Sequence, residues 1–313
     1  MNKSTKITIN YLLGALLSVL LLWQVSGQLR QQLEHQGPSI LQQNGPALFG
    51  WLCLLLMPLN LGLEAAKWQM LVRHAQEIRF GKALKSVLSG IAFSLITPNR
   101  IGEYPGRLLF LRQQNTTRLI SVSVLGAFGQ LIALFSFGLA GLVYYNIRFA
   151  GSLALAALGG TLAVVFLLLL AVRYYEWWGT RLEKIRWLTR FNNYSAELKQ
   201  FTTREKTIVV AISLLRFGVF TGQYLLLLRW LNVSVPAWDG YWLSALFFWA
   251  MAVIPTISLA EIGIRAKVAL FLFSPFSANS IGILSATFLL WGINLALPAI
   301  AGSLLMISVK AIK

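Results

Sequence analysis

The sequence predicts an all-α integral membrane protein with about six transmembrane helices and two opposed re-entrant helical hairpins arranged like an inverted repeat. Three observations carry this expectation. Hydrophobic residues make up 57% of the 313 and charged residues 12%, against about 25% charged in an ordinary soluble domain. Six apolar runs are long enough to cross a bilayer, and Lys and Arg alternate between the segments that join them. The 313 residues are consumed by crossings and short connections, so a single polytopic membrane domain over 1–313 is expected.

The first run, Ile7 to Val25, follows Lys3 and Lys6. Val25-Ser26-Gly27 is a poor small-residue cleavage site, and the apolar stretch is longer than a typical signal core, so a retained helix is expected. Runs at 47–71, 119–146, 151–173, 207–229 and 279–308 follow, each of spanning length at 1.5 Å of rise per residue. Two shorter apolar stretches, 86–98 and 243–257, each end at a polar break containing Pro and Gly. They read as the inward legs of re-entrant segments over 86–118 and 243–278.

Charge orders these elements. Segment 72–85 carries Arg73, Arg79, Lys82 and Lys85, and 173–206 carries eight basic residues; both belong on the cytoplasmic side by the positive-inside rule. Segments 26–46 and 147–150 hold one Arg each and 230–242 holds none, which suits the outer face. Six crossings with both termini cytoplasmic, in a cell inner membrane, satisfy every assignment if each short stretch enters and leaves on one side. The net charge of +17 is then topological and lipid-facing rather than a nucleic-acid footprint, because no continuous basic face forms. The Gln-rich 28–43 segment reads as interfacial. The 173–206 loop, with Trp177, Trp178 and Trp187 among its basic residues, reads as an amphipathic anchor.

The two breaks nearly repeat each other. Thr97-Pro98-Asn99-Arg100-Ile101-Gly102-Glu103-Tyr104-Pro105-Gly106-Arg107 and Pro255-Thr256-Ile257-Ser258-Leu259-Ala260-Glu261-Ile262-Gly263-Ile264-Arg265 both run from a Pro to a Glu to an Arg four positions later. A Pro/Gly break frees backbone groups that lipid cannot satisfy, so it must face protein or a wet cavity. Charges at that depth are costly and mark sites or paths. Two readings stay open: Glu103–Arg107 and Glu261–Arg265 neutralise one another and pin the hairpin tips, or Arg107 and Arg265 bind an anionic group such as a lipid phosphate while Glu103 and Glu261 orient them. Arg216, mid-run, and Lys267, after the second break, add positive field. Glu64 and Lys67, at i, i+3, are a gate or a structural pair, and Asn294 reads as helix-packing glue.

Enzyme chemistry finds little support. His35 and His74 fall in separate loops, the lone Cys53 lies inside an apolar run, and no phosphate-binding Gly loop occurs, so neither a metal site, a Ser/His/Asp arrangement nor ATP-driven pumping by this chain is expected. No catalytic residue and no cofactor are assigned.

At its two breaks the chain resembles the lysylphosphatidylglycerol synthase transmembrane family, the flippase-like membrane proteins related to the flippase half of the multiple peptide resistance factor. The resemblance covers Glu64 to Leu111, with the basic-Trp pair Lys67-Trp68, and Phe217 to Phe273. Gly263-Ile264-Arg265 matches the family's second break, whereas Ala266 stands where a Glu is usual and Glu261 where Gly is common. The resemblance implies movement of a polar-headed lipid, anionic or zwitterionic, between leaflets through two re-entrant hairpins. A lipid head-group transferase or a transporter of a small soluble anion are the alternatives. The expected partner is a membrane phospholipid or other polar-headed lipid; a second copy of the chain and a separate lipid-synthesising enzyme are further partners this reading leaves open.

Overall fold

The computed structural model describes residues 45–97, 102–111, 116–149, 152–173, 200–254 and 258–310. The expectations for 7–25, 28–43, most of the 173–206 loop, Pro98 to Ile101 and Pro255 to Ile257 lie outside these residues. The described residues are helical and contain no strand. In chain order they form α1 Ala47–Val72, α2 Phe80–Ile96, α3 Glu103–Leu108, α4 Thr116–Phe149, α5 Ser152–Arg173, α6 Thr203–Trp230, α7 Ala237–Val253, α8 Ser258–Phe273, α9 Ser280–Trp291, a π-helical turn Gly292–Ala296, and α10 Leu297–Lys310.

Four helices among the described residues are long and apolar enough to cross a membrane: α1, α4, α6 and the continuous α9–α10 rod. The apolar stretch described within α5, Ala157–Leu170, is shorter. Side chains such as Leu55, Leu59, Phe166, Leu167 and Leu304 stand exposed on these helices, as helices solvated by lipid require, because an outward Leu costs nothing against acyl chains. The basic 72–85 segment is only partly a loop. α2 begins at Phe80, so Lys82 and Lys85 ride its first turns.

The rod α9–α10 bends its register for a local reason. Pro298 has no N–H to offer the carbonyl four residues back and its ring crowds that carbonyl, and the π turn ends two residues before it. Asn294 sits within the turn and donates its side-chain amide to the Leu290 carbonyl at 3.3 Å.

The chain divides into two compact units, Met1–Met57 with Thr221–Ala296, and Pro58–Phe220 with Leu297–Lys313. In the first, α8 packs on α7 and on α9. Tyr224, fully buried, is ringed by Phe247, Phe248 and Phe273 at centroid distances of 5.3, 5.9 and 5.5 Å. Asn279 joins loop to helix there: its side chain accepts from Gly282 N at 2.8 Å and donates to the Leu231 carbonyl at 2.9 Å.

In the second unit, α10 and α3 pack on α2, and α4 on α5. Its core gathers Ala65, Trp68 and Leu71 from α1, Ala83 and Val87 from α2, Leu119, Val122 and Leu125 from α4, and Val209 from α6. α6 starts with a reciprocal cap whose carboxylate also ties it to the end of α1. Thr202 Oγ1 accepts from Glu205 N at 3.3 Å while Glu205 Oε2 accepts from Thr202 N at 2.8 Å, the two-way arrangement that satisfies free N–H groups at a helix start. The other oxygen, Oε1, takes Arg73 and His74 from the end of α1. The end of α1 therefore lies beside the start of α6.

Candidate functional site

The first break builds a helix–break–helix element in which α3 lies against α2 with almost no space between them. A Cβ on Gly106 would meet the Ser89 carbonyl at 2.8 Å and Gly90 Cα at 2.9 Å; one on Gly90 would meet Arg107 Cγ at 2.7 Å. Small residues here allow backbone-to-backbone approach. α3 is only six residues long, so its carbonyls need partners outside their own helix. Serines of α2 supply them: Ser89 Oγ donates to the Gly106 carbonyl at 2.7 Å, and Ser86 Oγ donates to the Arg107 carbonyl. Thr97 closes the turn by accepting from Gly102 N at 2.8 Å and donating to the Phe93 carbonyl at 3.0 Å. Pro105 does not interrupt α3, because it falls in the first turn, where no intrahelical N–H bond is lost.

This scaffold aims Arg107 at α1. Glu103 and Arg107 are ion-paired at i, i+4, and the same guanidinium reaches Glu64 Oε1 at 2.7 Å. Glu64 is the centre of the arrangement. Its Oε2 accepts from Lys67 Nζ at 2.8 Å and from Arg216 Nη1. Arg216 also donates through Nε to Asn60 Oδ1 at 2.9 Å. The Arg107 guanidinium lies over the Trp68 ring, 5.0 Å from its centroid, and Trp68 Nε1 donates to Ser86 Oγ at 3.0 Å. Ser86 thus links the ring below Arg107 to the backbone that carries it.

Burial makes the cluster costly. Lys67 is 1% exposed, Glu64 4% and Arg107 8%. Charges so far from water need excellent geometry and full hydrogen bonding to be tolerated, and three cations ring one carboxylate here. With Glu103 included, the described group holds three cations against two carboxylates, a formal charge of +1. Arg107 Nε is buried without a hydrogen-bond partner. Glu64 stands eight residues before the end of α1, about 12 Å along the axis, so the cluster lies inside a membrane-spanning helix rather than at its rim.

The sequence-derived residues separate into two groups. Glu64, Lys67, Glu103, Arg107 and Arg216 come together in one unit. Glu64 and Lys67 are not a self-contained pair at a helix end; Glu64 organises the whole cluster, with contacts 43 and 152 residues away along the chain. Arg265 and Lys267 lie on α8 in the other unit, where the Arg265 guanidinium sits 5.9 Å from the centroid of Phe247. The Glu261 backbone lies in the first turn of α8, and its side chain lies outside the described residues. Both break arginines therefore rest against an aromatic ring. Asn60, Trp68 and Ser86 complete the first cluster and were not singled out as site residues. Asn60, Glu64 and Lys67 at i, i+4, i+7 lie along one helical face, which is the signal that picks out Asn60. Among the described residues no group of His, Cys, Asp and Glu is placed to hold a metal ion.

The family profile of the lysylphosphatidylglycerol synthase TM region matches residues 11–302. The chain belongs to that family. The match spans both breaks and every helix from α1 to α9, so the cluster around Glu64 is built within the family's membrane region, and a membrane lipid-related function follows. A search among curated proteins gave no match.

Proposed function

We propose that the chain moves a polar-headed lipid between membrane leaflets, with the Glu64 cluster receiving the head group while the acyl chains stay in lipid. The carrying observation is a hydrogen-bonded set of three cations, Lys67 and Arg107 buried and Arg216 half-buried, that converge on Glu64 within a membrane-spanning helix of a lipid-related family. Moving a charged head group through hydrocarbon is prohibitive without compensating charge and hydrogen bonds. Arg107 and Arg216 supply forked N–H donors suited to phosphate oxygens, and Lys67 supplies a point charge. Trp68 gives Arg107 an apolar seat.

The fuller architecture in this proposal keeps about six crossings, both termini cytoplasmic in the inner membrane, and re-entrant hairpins at 86–118 and 243–278. In it Arg265, with Lys267 and Glu261, forms the counterpart station in the second half. The chain changes no covalent bond of its substrate and needs no cofactor.

The test is leaflet exchange of fluorescent phospholipid in proteoliposomes, scored by dithionite quenching, for wild type, Arg107→Ala and Arg265→Ala at matched reconstitution. Quenching beyond the half-maximal plateau of protein-free vesicles, reduced in the variants, supports the proposal. A wild-type plateau at half across several head groups, with and without an imposed proton gradient, would sink it.

A further inference from the structure

Glu64 stands where three cations converge. Its two oxygens face three converging cations, Oε1 toward Arg107 and Oε2 toward Lys67 and Arg216. A phosphodiester presents the same motif to these donors: two equivalent oxygens sharing one negative charge, which Arg engages in the way it engages a carboxylate. The cluster as it stands is closed, since Glu64, Lys67 and Arg107 are all nearly inaccessible. An incoming anion must therefore compete with a resident one.

We propose that Glu64 is an internal stand-in for the substrate's phosphate: a phosphodiester carrying a single negative charge displaces the Glu64 carboxylate from Arg107 and Arg216, and the carboxylate's return expels it. This rests on the lipid-moving reading above and names the head-group chemistry it serves. Charge sets the class. Among the described residues the resting cluster has a formal charge of +1, which one monoanion cancels. A phosphomonoester dianion would leave an excess negative charge beside Glu64 and Glu103, and a zwitterionic head group would leave the +1 uncancelled. Each uncompensated buried charge is strongly unfavourable, so a diester with an uncharged remainder, such as a glycerol head group, is preferred.

The exchange also explains why a buried carboxylate belongs in an anion site. Without it, Lys67, Arg107 and Arg216 would face one another whenever the site was empty, with Glu103 paired to Arg107 alone. With it, release requires no water to enter, because the outgoing phosphate is replaced by a group already tethered to α1. The unpartnered Arg107 Nε is a donor that the resident carboxylate leaves unused.

The experiment measures apparent affinity from the thermal shift of the purified full-length chain in detergent. The probes are short-chain phosphatidylglycerol, phosphatidylcholine, phosphatidic acid and soluble glycerophosphoglycerol. Wild type is expected to prefer phosphatidylglycerol over the zwitterion and the dianion. In Glu64→Gln the competitor is gone. If the carboxylate holds the cations about nine-tenths of the time, affinity for phosphatidylglycerol rises roughly tenfold. Should that variant fail to fold, Glu64→Gln/Lys67→Met removes one charge of each sign and is expected to bind phosphatidylglycerol more tightly than wild type. Unchanged or weaker binding in the folded variant, or a wild-type preference for phosphatidylcholine or phosphatidic acid, overturns the exchange. Equal binding of the soluble diester supports the exchange and counts against the lipid reading, which separates the two failures.

Discussion

Gly106→Ala tests whether the close seating of α3 on α2 is what holds Arg107 in place. The added Cβ would lie 2.8 Å from the Ser89 carbonyl oxygen and 2.9 Å from both Gly90 Cα and Phe93 Cβ. None of these is the free end of a side chain, so the two helices must separate by about half an ångström or more to reach ordinary contact distance. Such overpacking typically costs about 1–3 kcal/mol. The Ser89 to Gly106 hydrogen bond, at 2.7 Å, would lengthen by a similar amount and weaken, adding about 1 kcal/mol. Against this stands the helix-propensity gain of Ala over Gly, about 1 kcal/mol at most in a helix interior. The net expectation is a destabilisation of about 1–3 kcal/mol. It is measured by denaturant titration of helical circular dichroism in mixed micelles. Gly81→Ala is the matched control on α2, where the new Cβ meets nothing within 4 Å; it should leave stability unchanged or raise it by up to about 1 kcal/mol. Lipid exchange should fall in the first variant and persist in the second. A Gly106→Ala protein as stable and active as the control would refute the argument that this contact positions the site.

Two further outcomes concern hydrogen bonds away from the cluster. Glu205→Ala removes one half of the reciprocal cap with Thr202 and the acceptor for His74, and is expected to cost about 1–2 kcal/mol. Arg73, with 55% of its side chain exposed, adds little of this. Faster amide exchange at the start of α6 would accompany the loss, and unchanged protection there would contradict the cap. In the other unit the Thr287 hydroxyl donates to the Ile283 carbonyl at 2.7 Å, so in its 2.6 Å contact with Tyr224 the phenol is the donor. Tyr224→Phe should then cost only about 1 kcal/mol, whereas Thr287→Val, which strands a buried phenolic O–H, should cost about 1–3 kcal/mol. The reverse order in thermal unfolding would show that the hydroxyls point the other way.

The long helices were legible because an apolar run of spanning length leaves the chain few alternatives in lipid. α1, α4, α5 and α6 match the runs at 47–71, 119–146, 151–173 and 207–229 to within a few residues. Glu103 and Arg107 were legible as a pair because i, i+4 is a local relation. The centrality of Glu64 was not, since its partners Arg107 and Arg216 lie on other helices and no spacing encodes that approach. The packing role of Gly90 and Gly106 was equally hidden: a glycine records freedom of approach only once its neighbour is known. Lys82 and Lys85 were read as loop charges, but the helix starts ahead of them at Phe80, because basic residues are good helix formers and do not by themselves end a helix.

The π turn at Gly292–Ala296 has the effect of a one-residue insertion in an otherwise regular rod. Each extra residue rotates everything beyond it by about 100°. The turn stands directly ahead of α10, whose Gly302 packs against the backbone of α2 at Leu88. An apolar span can in this way change register without a loop. Deleting one residue between Gly292 and Ala296 would remove that change of register while leaving the composition of the rod almost untouched.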